Sequence, residues 1–489
     1  MADSIMIQGT MSNVGKSFLT AALCRIFKQD GFRTAPFKSQ NMALNSYVTA
    51  DGMEIGRAQA LQAEAAGIEP TALMNPILLK PTTDVGSQVI VNGKVRGNMR
   101  AAEYFRRKKE LIPDIMAAYE TLSAAHDIIV IEGAGSPVEL NLKADDIVNM
   151  GLAKLVRSPV LLVGDIDRGG VFAQLMGTLN LLENDERDMV KGIVVNQFRG
   201  DISLFQDGID ILERLSGKPV VGVVPYTQCD IEDEDSLSRK LNDSSADSII
   251  DIAVVHLPKI SNFTDVDVFR QYQGVSVRFV SSPSRLGDPD LIIIPGTKST
   301  ISDMKWMRNS GMENTVKSAV QRGVPIFGIC GGYQIMGRKI SDPLGSESGG
   351  EIDGMGMLDI ETVFSGEKRQ TRISGKFGNI GGFFSCLSGA VFYGYEIHMG
   401  ITDSAEQPLT DCGGSVRGDA VGCYVHGIFD SAQVSGALVK RLFEAKNLTF
   451  NGTVTDRRQY RDKQLDILAD TVRKSLDMEL IYRILREGI

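Results

Sequence analysis

The chain contains 489 residues, of which 43% are hydrophobic and 23% charged, and its formal net charge is −9. This length exceeds one ordinary hydrophobic core and predicts two large domains. The negative charge argues against nucleic-acid binding, because affinity for phosphates needs a basic surface. The first residues, Met1–Gly9, contain no basic stretch and no long apolar run, so we expect a cytoplasmic protein without a membrane partner.

Apolar strands alternate with helical stretches along both halves of the chain, which is the pattern of parallel sheets covered by helices on both faces. We expect an α/β protein of two doubly wound domains, 1–226 and 251–489, joined by a polar, acidic linker at 227–250. The tail from Ser431 is helical in pattern and is assigned to the second domain. The predicted strands are Ile5–Gln8, Thr34–Phe37, Ile128–Glu132, Val160–Gly164, Gly192–Asn196, Val220–Val224, Asp251–Leu257, Val275–Val280, Leu291–Ile294 and Pro325–Ile329.

A glycine-rich loop, Gly9–Ser17, follows the first predicted strand and precedes an apolar helix at Phe18–Phe27. Such a loop wraps phosphates with backbone N–H groups at the positive end of a helix, and its Lys and Ser reach the terminal phosphates and Mg²⁺. Five residues separate the two glycines, where the common motif has four, and the alternative is a turn without a ligand. The predicted nucleotide-binding residues of the loop are Gly9, Thr10, Gly15, Lys16 and Ser17.

Polar side chains end several predicted strands of the first half. Glu132 closes an apolar strand, where an acid is costly unless it meets a cation or donors, and we predict that it contacts Mg²⁺. Asn196 closes another strand, where it either reads a base edge or satisfies a turn. Because ligands of open α/β sheets bind at the carboxyl ends of strands, these residues and the loop predict one nucleotide site.

One of the six cysteines stands in a distinctive context. Cys330 lies in the run Gly328-Ile-Cys-Gly-Gly-Tyr-Gln334, between an apolar strand and an apolar helix. This is a nucleophile-elbow arrangement with sulfur in place of oxygen, in which small neighbours permit a strained turn. The helix that follows points N–H groups toward a developing oxyanion. We predict that Cys330 is a nucleophile rather than an inert buried thiol.

A cysteine nucleophile needs a base, and the chain has four histidines. His126 and His256 lie in or beside apolar strands and are interpreted as structural. His426 ends a strand just before a glycine and is the predicted partner of Cys330. His398 is the competing candidate, and its alternative role is to line the substrate pocket.

The C-terminal half resembles a class I glutamine amidotransferase domain, and the chain as a whole resembles the cobyric acid synthase family. The resemblance spans nearly the full length, and the combination of motifs is far more specific than any one of them. The runs that carry it are Gly9–Ser17, Lys38–Met42, Glu54–Gln59, Met74–Pro81, Glu132–Pro137, Asp146–Met150, Asp165–Gly170 and Pro295–Thr300.

The resemblance implies a dethiobiotin-synthetase-like P-loop domain followed by a flavodoxin-like class I amidotransferase domain. It also implies amidation of the b, d, e and g carboxylates of a corrinoid, adenosylcobyrinic acid a,c-diamide, with L-glutamine as the ammonia source and ATP and Mg²⁺ as cofactors. The implied site residues are Ser17, Asp51 and Glu132 for the metal, Asp146 for catalysis in the synthase site, Lys38 for the corrinoid, and Gln334, Gly296 and Gly331 for glutamine and its oxyanion.

The chain departs from one feature of class I amidotransferases. Many of them carry a Glu two residues after the catalytic His, and this chain has Ile428 there. Cys330 and His426 are therefore expected to act as a dyad, with another group orienting the histidine.

Two other functions are compatible with part of the sequence. The sister enzyme that makes the a,c-diamide is the nearer one, and the Lys38–Met42 and Glu54–Gln59 runs argue against it. The other is a nucleotide-binding switch with a degenerate amidotransferase domain, against which the intact phosphate loop and cysteine–histidine pair argue. The oligomeric state is left open.

Overall fold

The chain forms two compact units in the computed structural model, which describes residues 2–83, 86–227, 229–231 and 248–489. Most of the predicted linker therefore lies outside the described residues. No helix in the described part of the chain is long and apolar enough to cross a membrane. Unit 1 comprises Met1–Met42, Met53–Ile231 and Arg461–Ile489, and unit 2 comprises Ala43–Gly52 and Glu232–Tyr460.

Strands and helices, numbered here along the chain, alternate through both units. The strands are β1 (Asp3–Gly9), β2 (Thr34–Phe37), β3 (Gln40–Met42), β4 (Ser46–Val48), β5 (Glu54–Gly56), β6 (Ile77–Thr83), β7 (Gly86–Val91), β8 (Lys94–Arg100), β9 (Ile128–Glu132), β10 (Val160–Asp165), β11 (Val190–Phe198), β12 (Val220–Pro225), β13 (Ile250–Val255), β14 (Val275–Val280), β15 (Leu291–Ile294), β16 (Ile326–Ile329), β17 (Lys339–Asp342), β18 (Gly350–Asp353), β19 (Ile360–Lys376), β20 (Val391–Ser404), β21 (Ser415–Arg417) and β22 (Ala420–Cys423). The α-helices are α1 (Lys16–Gln29), α2 (Arg57–Ala66), α3 (Ala101–Arg107), α4 (Ile112–Ala125), α5 (Met150–Val156), α6 (Val171–Leu181), α7 (Asn184–Met189), α8 (Gln206–Ser216), α9 (Thr300–Asn309), α10 (Met312–Gln321), α11 (Gly331–Ile335), α12 (Ala432–Ala445), α13 (Arg457–Ser475) and α14 (Met478–Glu487).

The central sheet of unit 1 is parallel throughout, with the strand order β12-β11-β10-β1-β9-β2. All residues of β9 and β10 are buried, as expected for parallel strands with helices on both faces. All the strands predicted in the first half are present, so this part of the α/β prediction is confirmed.

A second, smaller sheet of unit 1 has the order β3-β6-β7-β8. β3 pairs in parallel with β6, and β6, β7 and β8 form an antiparallel meander. The apolar pattern does not predict this sheet, because its strands carry polar side chains such as Lys80 and Gln88.

Arg461–Ile489, which contains α14 and most of α13, belongs to unit 1, whereas the sequence predicted it in the second domain. Apolar side chains of α13 and α14 share one core cluster with α1 and β1. Buried Arg25 of α1 forms ion pairs with Asp462 at 3.0 Å and with Asp466 at 2.8 Å. A helical pattern shows which face is apolar but not which sheet that face covers, and this explains the difference.

Unit 2 is built on a six-stranded sheet with the order β14-β13-β15-β16-β22-β21. Its strands are parallel except for the pairing of β21 with β22. A four-stranded sheet, β18-β17-β19-β20, accompanies it. The segment Ala43–Gly52 also belongs to this unit, and its Val48 is buried against Tyr395 and Ile397 of β20. The sequence prediction kept this segment in the first domain.

We expect Leu465→Ala in α13 to destabilise unit 1, because Leu465 is buried in the cluster that joins this helix to α1. A buried Leu→Ala change costs about 2–5 kcal/mol of unfolding free energy. Ile467→Ala is the matched control, because that side chain is 47% exposed and should cost less than about 0.5 kcal/mol. Urea unfolding followed by circular dichroism measures both, and equal small losses would contradict the packing of α13.

Candidate functional site

The phosphate loop of unit 1 has the conformation that anion binding requires. It runs from the end of β1 to the start of α1, and Gly15 adopts a left-handed conformation with φ 91° just before the helix. A side chain at Gly15 would also collide with Asn196, since an added Cβ would lie 2.1 Å from its Nδ2. The Lys16 ammonium donates to the carbonyl oxygens of Met11 at 2.9 Å and Gly135 at 3.0 Å. Lys16 thus lies between this loop and the one that follows β9.

Glu132 is the centre of the polar network beside this loop. Its side chain is 1% exposed and accepts hydrogen bonds from Ser17 Oγ at 2.8 Å, Lys38 Nζ at 2.9 Å and Gln62 Nε2 at 2.5 Å. A buried carboxylate is stable only with such partners, and Lys38 supplies the opposite charge. The structure therefore brings together three residues predicted separately from sequence, namely Ser17, Lys38 and Glu132.

The oxygens of Ser17 and Glu132 suit a magnesium ion, which prefers hard oxygen ligands and usually keeps contacts to phosphate and water. In the described part of the chain no three His, Cys, Asp or Glu side chains are grouped to hold a metal ion. Asp51, the third predicted ligand, belongs to unit 2, where its carboxylate accepts a hydrogen bond from Thr49. The full metal set remains a prediction.

Asn196 supports the phosphate loop from the end of β11. Its Nδ2 donates to the Val14 carbonyl oxygen at 2.8 Å, and the side chain is buried. At the opposite end of the loop, the Thr10 hydroxyl donates to Gln174 Oε1 at 3.2 Å. Of the two predicted roles for Asn196, the local structural one has a direct contact, and the reading of a base remains a prediction.

Asp146 caps the N-terminal end of α5. Its Oδ1 accepts from the backbone N–H groups of Val148 and Asn149, and its Oδ2 accepts from that of Gly151 at 2.9 Å. Asn149 in turn donates to the Ala134 carbonyl oxygen at 2.6 Å, so this turn supports the loop after β9. The contacts explain Asp146 as a structural residue, and its catalytic role remains a prediction.

Cys330 of unit 2 occupies a strained turn between β16 and α11. Its φ of 51° and ψ of −109° are unfavourable for a residue with a side chain and cost about 1–3 kcal/mol. The turn packs directly on the neighbouring strand, because a Cβ at Gly332 would lie 1.9 Å from the Ile294 carbonyl oxygen. The thiol is buried, with Sγ 3.7 Å from the Ile397 carbonyl oxygen. This geometry is that of the predicted elbow.

His426 lies beside Cys330, and its other partner is an acid that the sequence did not reveal. His426 Nδ1 is 2.7 Å from Asp265 Oδ2, and Asp265 Oδ1 accepts from the Gly427 N–H at 2.9 Å. Burial by itself would lower the pKa of His426, but the charge of Asp265 and contact with Cys330 raise it to about 10. The arrangement stabilises the imidazolium form of His426 beside Cys330, where a base can serve a cysteine nucleophile.

The predicted glutamine-binding residues surround this elbow. A Cβ at Gly296 would lie 2.9 Å from His426 Cε1, so this backbone lies close to the histidine, and Gly331 directly follows Cys330. Gln334 is buried between the Thr300 hydroxyl, which donates to it at 3.1 Å, and the Tyr424 hydroxyl, which accepts from it at 3.1 Å.

His398, the competing histidine, packs beside the elbow without replacing His426. Its ring stacks on that of Tyr424 with 3.7 Å between centroids, and its Nδ1 is 2.8 Å from the Gly400 carbonyl oxygen. The structure therefore favours His426 as the base.

Comparison with known proteins connects both sites to one family. Residues 5–238 match the family described as the CobQ/CobB/MinD/ParA nucleotide binding domain, and residues 251–434 match the CobB/CobQ-like glutamine amidotransferase domain. A cobyric acid synthase of Ruminiclostridium cellulolyticum is 54% identical, with 100% of this chain and 98% of that protein covered. Cobyric acid synthases of Lachnoclostridium phytofermentans (100% of both chains covered) and Photorhabdus laumondii (99% and 98% covered) are 54% and 48% identical.

The chain belongs to the cobyric acid synthase family. It is a ligase of the amidotransferase type, with a nucleotide-binding domain and a glutamine amidotransferase domain. The resemblance recognised from sequence motifs and the two-domain α/β fold are both confirmed.

Asp265 is the functional residue that sequence reasoning missed in this member of the family. It lies in a 3-10 helix, Phe263–Gln271, in the connection after β13. The available signal was its place after the carboxyl end of a parallel strand, the rule that drew attention to Glu132. This signal does not single out Asp265, because Asp267 is a second acid two residues further on and because the sequence does not give the order of the strands.

We expect Asp265→Asn to move the alkaline limit of glutamine hydrolysis to lower pH. Without the carboxylate the pKa of His426 falls, so the imidazolium loses its proton at a lower pH than in the wild type. The turnover number should fall by about 10²- to 10⁴-fold, the usual contribution of acid–base catalysis. Glutaminase rates measured across pH test this.

Asp267→Asn is the matched control, since it removes the same charge from the same helix, where Asp267 pairs with Arg270 at 3.4 Å. Its pH profile should resemble that of the wild type. If Asp265→Asn also kept the wild-type profile, Asp265 would have no role in orienting or charging His426.

Proposed function

We propose that this chain amidates the b, d, e and g carboxylates of adenosylcobyrinic acid a,c-diamide, using ATP and ammonia released from glutamine in cobalamin biosynthesis. The observation that carries the proposal is the pairing of two complete sites on one chain. Unit 1 has a phosphate loop joined to Glu132, and unit 2 has Cys330 paired with His426 and Asp265. Full-length similarity to cobyric acid synthases supports the choice of substrate.

Glutamine hydrolysis is assigned to unit 2. The Cys330 thiolate attacks the side-chain amide carbon of glutamine, and the oxyanion accepts hydrogen bonds from backbone N–H groups of Gly331 and Gly296. His426, protonated beside Asp265, gives its proton to the departing ammonia. Water activated by the neutral imidazole then hydrolyses the thioester, which releases glutamate and restores the thiolate.

Carboxylate activation is assigned to unit 1. Transfer of the γ-phosphoryl group of ATP to a corrinoid carboxylate gives an acyl phosphate, and ammonia displaces phosphate from it to form the amide. Mg²⁺ held by Ser17 and Glu132 would neutralise phosphate charge. Lys16 stabilises charge on the phosphates, and Lys38 places a second cation beside the same acid.

Ion pairs near the phosphate loop bear on which Lys and Arg side chains can bind a polycarboxylate substrate. Lys80 pairs with Glu54 at 2.8 Å, and both side chains are buried. Arg168 pairs with Asp165 at 3.2 Å while its own side chain stays 39% exposed. Lys38 lies next to the phosphate loop through Glu132 and remains the residue assigned to the corrinoid.

Mass spectrometry of the corrinoid product tests the proposal directly. With ATP, Mg²⁺ and glutamine, the purified chain should add amides to adenosylcobyrinic acid a,c-diamide until the b, d, e and g positions are all converted. Conversion of cobyrinic acid at only the a and c positions would identify the sister enzyme. ATP binding without any corrinoid-dependent hydrolysis would identify a nucleotide switch.

Two substitutions should separate the half-reactions. Cys330→Ala removes the nucleophile, so glutamine-driven amidation should be lost while amidation with free ammonia is kept. Lys16→Ala should lower both forms of amidation by about 10²-fold or more, because phosphoryl transfer loses its cation, while the thiol of unit 2 is untouched. If Cys330→Ala also abolished the reaction with ammonia, the division of labour between the units would be wrong.

A further inference from the structure

The segment Ala43–Gly52 lies in the sequence between two parts of unit 1 but is part of unit 2. It follows directly on the Lys38–Met42 run, whose lysine binds Glu132 beside the phosphate loop. Within unit 2, β4 of this segment packs on β19 and β20, and Val48 is completely buried. Arg372 of β19 fixes the segment further by donating to the Val48 carbonyl oxygen at 3.1 Å and the Tyr47 hydroxyl at 3.1 Å.

Ser46 of this segment contacts the neighbours of His426 on two sides. Its carbonyl oxygen accepts from the Tyr395 hydroxyl at 2.9 Å, and its N–H donates to Asn262 Oδ1 at 2.9 Å. Both hydrogen bonds are buried, so losing either leaves an unpaired polar group in the interior. A single residue of the first half of the chain therefore fixes two side chains of the amidotransferase unit.

Tyr395 and Asn262 are the residues that hold the catalytic histidine and its acid. The Tyr395 ring stacks on the His426 ring with 5.4 Å between centroids and an interplanar angle of 25°, and the backbones of the two residues exchange hydrogen bonds of 3.0 and 2.8 Å. Asn262 has a left-handed conformation and precedes the 3-10 helix that contains Asp265. The N–H of Asp265 donates to the Asn262 carbonyl oxygen at 3.1 Å. The segment thus reaches both His426 and Asp265 through one intermediate residue each.

The same segment also reaches the nucleophile through one intermediate residue. Val48 packs with Ile397, and the Ile397 carbonyl oxygen is 3.7 Å from Cys330 Sγ. One ten-residue segment, which lies in the sequence between two parts of unit 1, therefore supports residues that contact Cys330, His426 and Asp265.

We propose that Ala43–Gly52 is a positioning element for glutamine hydrolysis, acting through Tyr395 and Asn262. The inference rests on the proposed function. Its physical basis is the pair of buried hydrogen bonds of Ser46, which fix Tyr395 beside His426 and Asn262 at the start of the helix of Asp265. These contacts favour the orientation of His426 and Asp265 in which the proton can be transferred to ammonia.

Tyr395→Phe tests the first contact, because it removes the hydroxyl and keeps the ring that stacks on His426. We expect the turnover number for glutamine hydrolysis to fall by about 3- to 10-fold, the effect of one buried hydrogen bond, with a smaller change in KM. Amidation with free ammonia should stay at the wild-type rate, which also shows that the variant is folded. Tyr393→Phe is the matched control: it lies on the same strand, and its hydroxyl donates to Asp456 at 2.7 Å.

Asn262 provides the second test and a rescue. Asn262→Gly keeps the left-handed conformation but removes the acceptor for Ser46, and should lower glutamine turnover, whereas Asn262→Asp keeps an acceptor oxygen and should restore most of it.

The outcomes separate this inference from the proposed function. A wild-type chain that hydrolyses no glutamine would overturn the proposed function itself. If the wild type hydrolyses glutamine, and Tyr395→Phe and Asn262→Gly match it in turnover number, only the positioning role of Ala43–Gly52 is overturned.

Discussion

Parallel strand pairing determines where the chemistry of this protein lies, because it brings the carboxyl ends of distant strands to one edge of a sheet. In unit 1 the register pairs Ile7 with Glu132 and Asp165 with Asn196, and β1 runs directly into the phosphate loop. Ile7 and Glu132, which are more than 100 residues apart in sequence, thus meet through the hydrogen bonds of paired strands. The side chains then complete the site, with Glu132 joining Ser17 to Lys38.

Unit 2 uses the same constraint for different chemistry. Asp265, Gly296, Cys330 and His426 each follow the carboxyl end of one of the adjacent strands β13, β15, β16 and β22. Burying an imidazolium is costly unless opposite charge and hydrogen bonds compensate, and Asp265 provides both for His426. The strained backbone at Cys330 is held by close packing on β15, so rigidity of the sheet is a condition for the reactivity of the thiol.

The sequence was most informative where the chemistry is local. The parallel strands, the phosphate loop and the Cys330 elbow each depend on a short run of apolar or small residues, and all were recognisable. Asp265 was not, because its role depends on the order of strands in the sheet and on the path of a 3-10 helix. Asp146 lies in a family motif and accepts hydrogen bonds from three backbone N–H groups at the start of α5, and its catalytic role stays a prediction. Sequence also cannot show which sheet an amphipathic helix covers, and this is why α13 and α14 were assigned to the other domain.

Exchange of segments between the units has a consequence for folding. Unit 1 is closed by Arg461–Ile489 and unit 2 contains Ala43–Gly52, so neither unit is one continuous stretch of chain. Domains usually fold from the N-terminus as they are synthesised, but here the core cluster of α1 and β1 acquires α13 and α14 only when the chain is complete. The chain between Ile231 and Arg461 forms a long loop that must close when these parts of unit 1 meet. The entropy cost of closing it is modest, because this cost grows only with the logarithm of loop length. The arrangement is thus thermodynamically inexpensive, and it ties the completion of the nucleotide-binding unit to the presence of the whole amidotransferase unit.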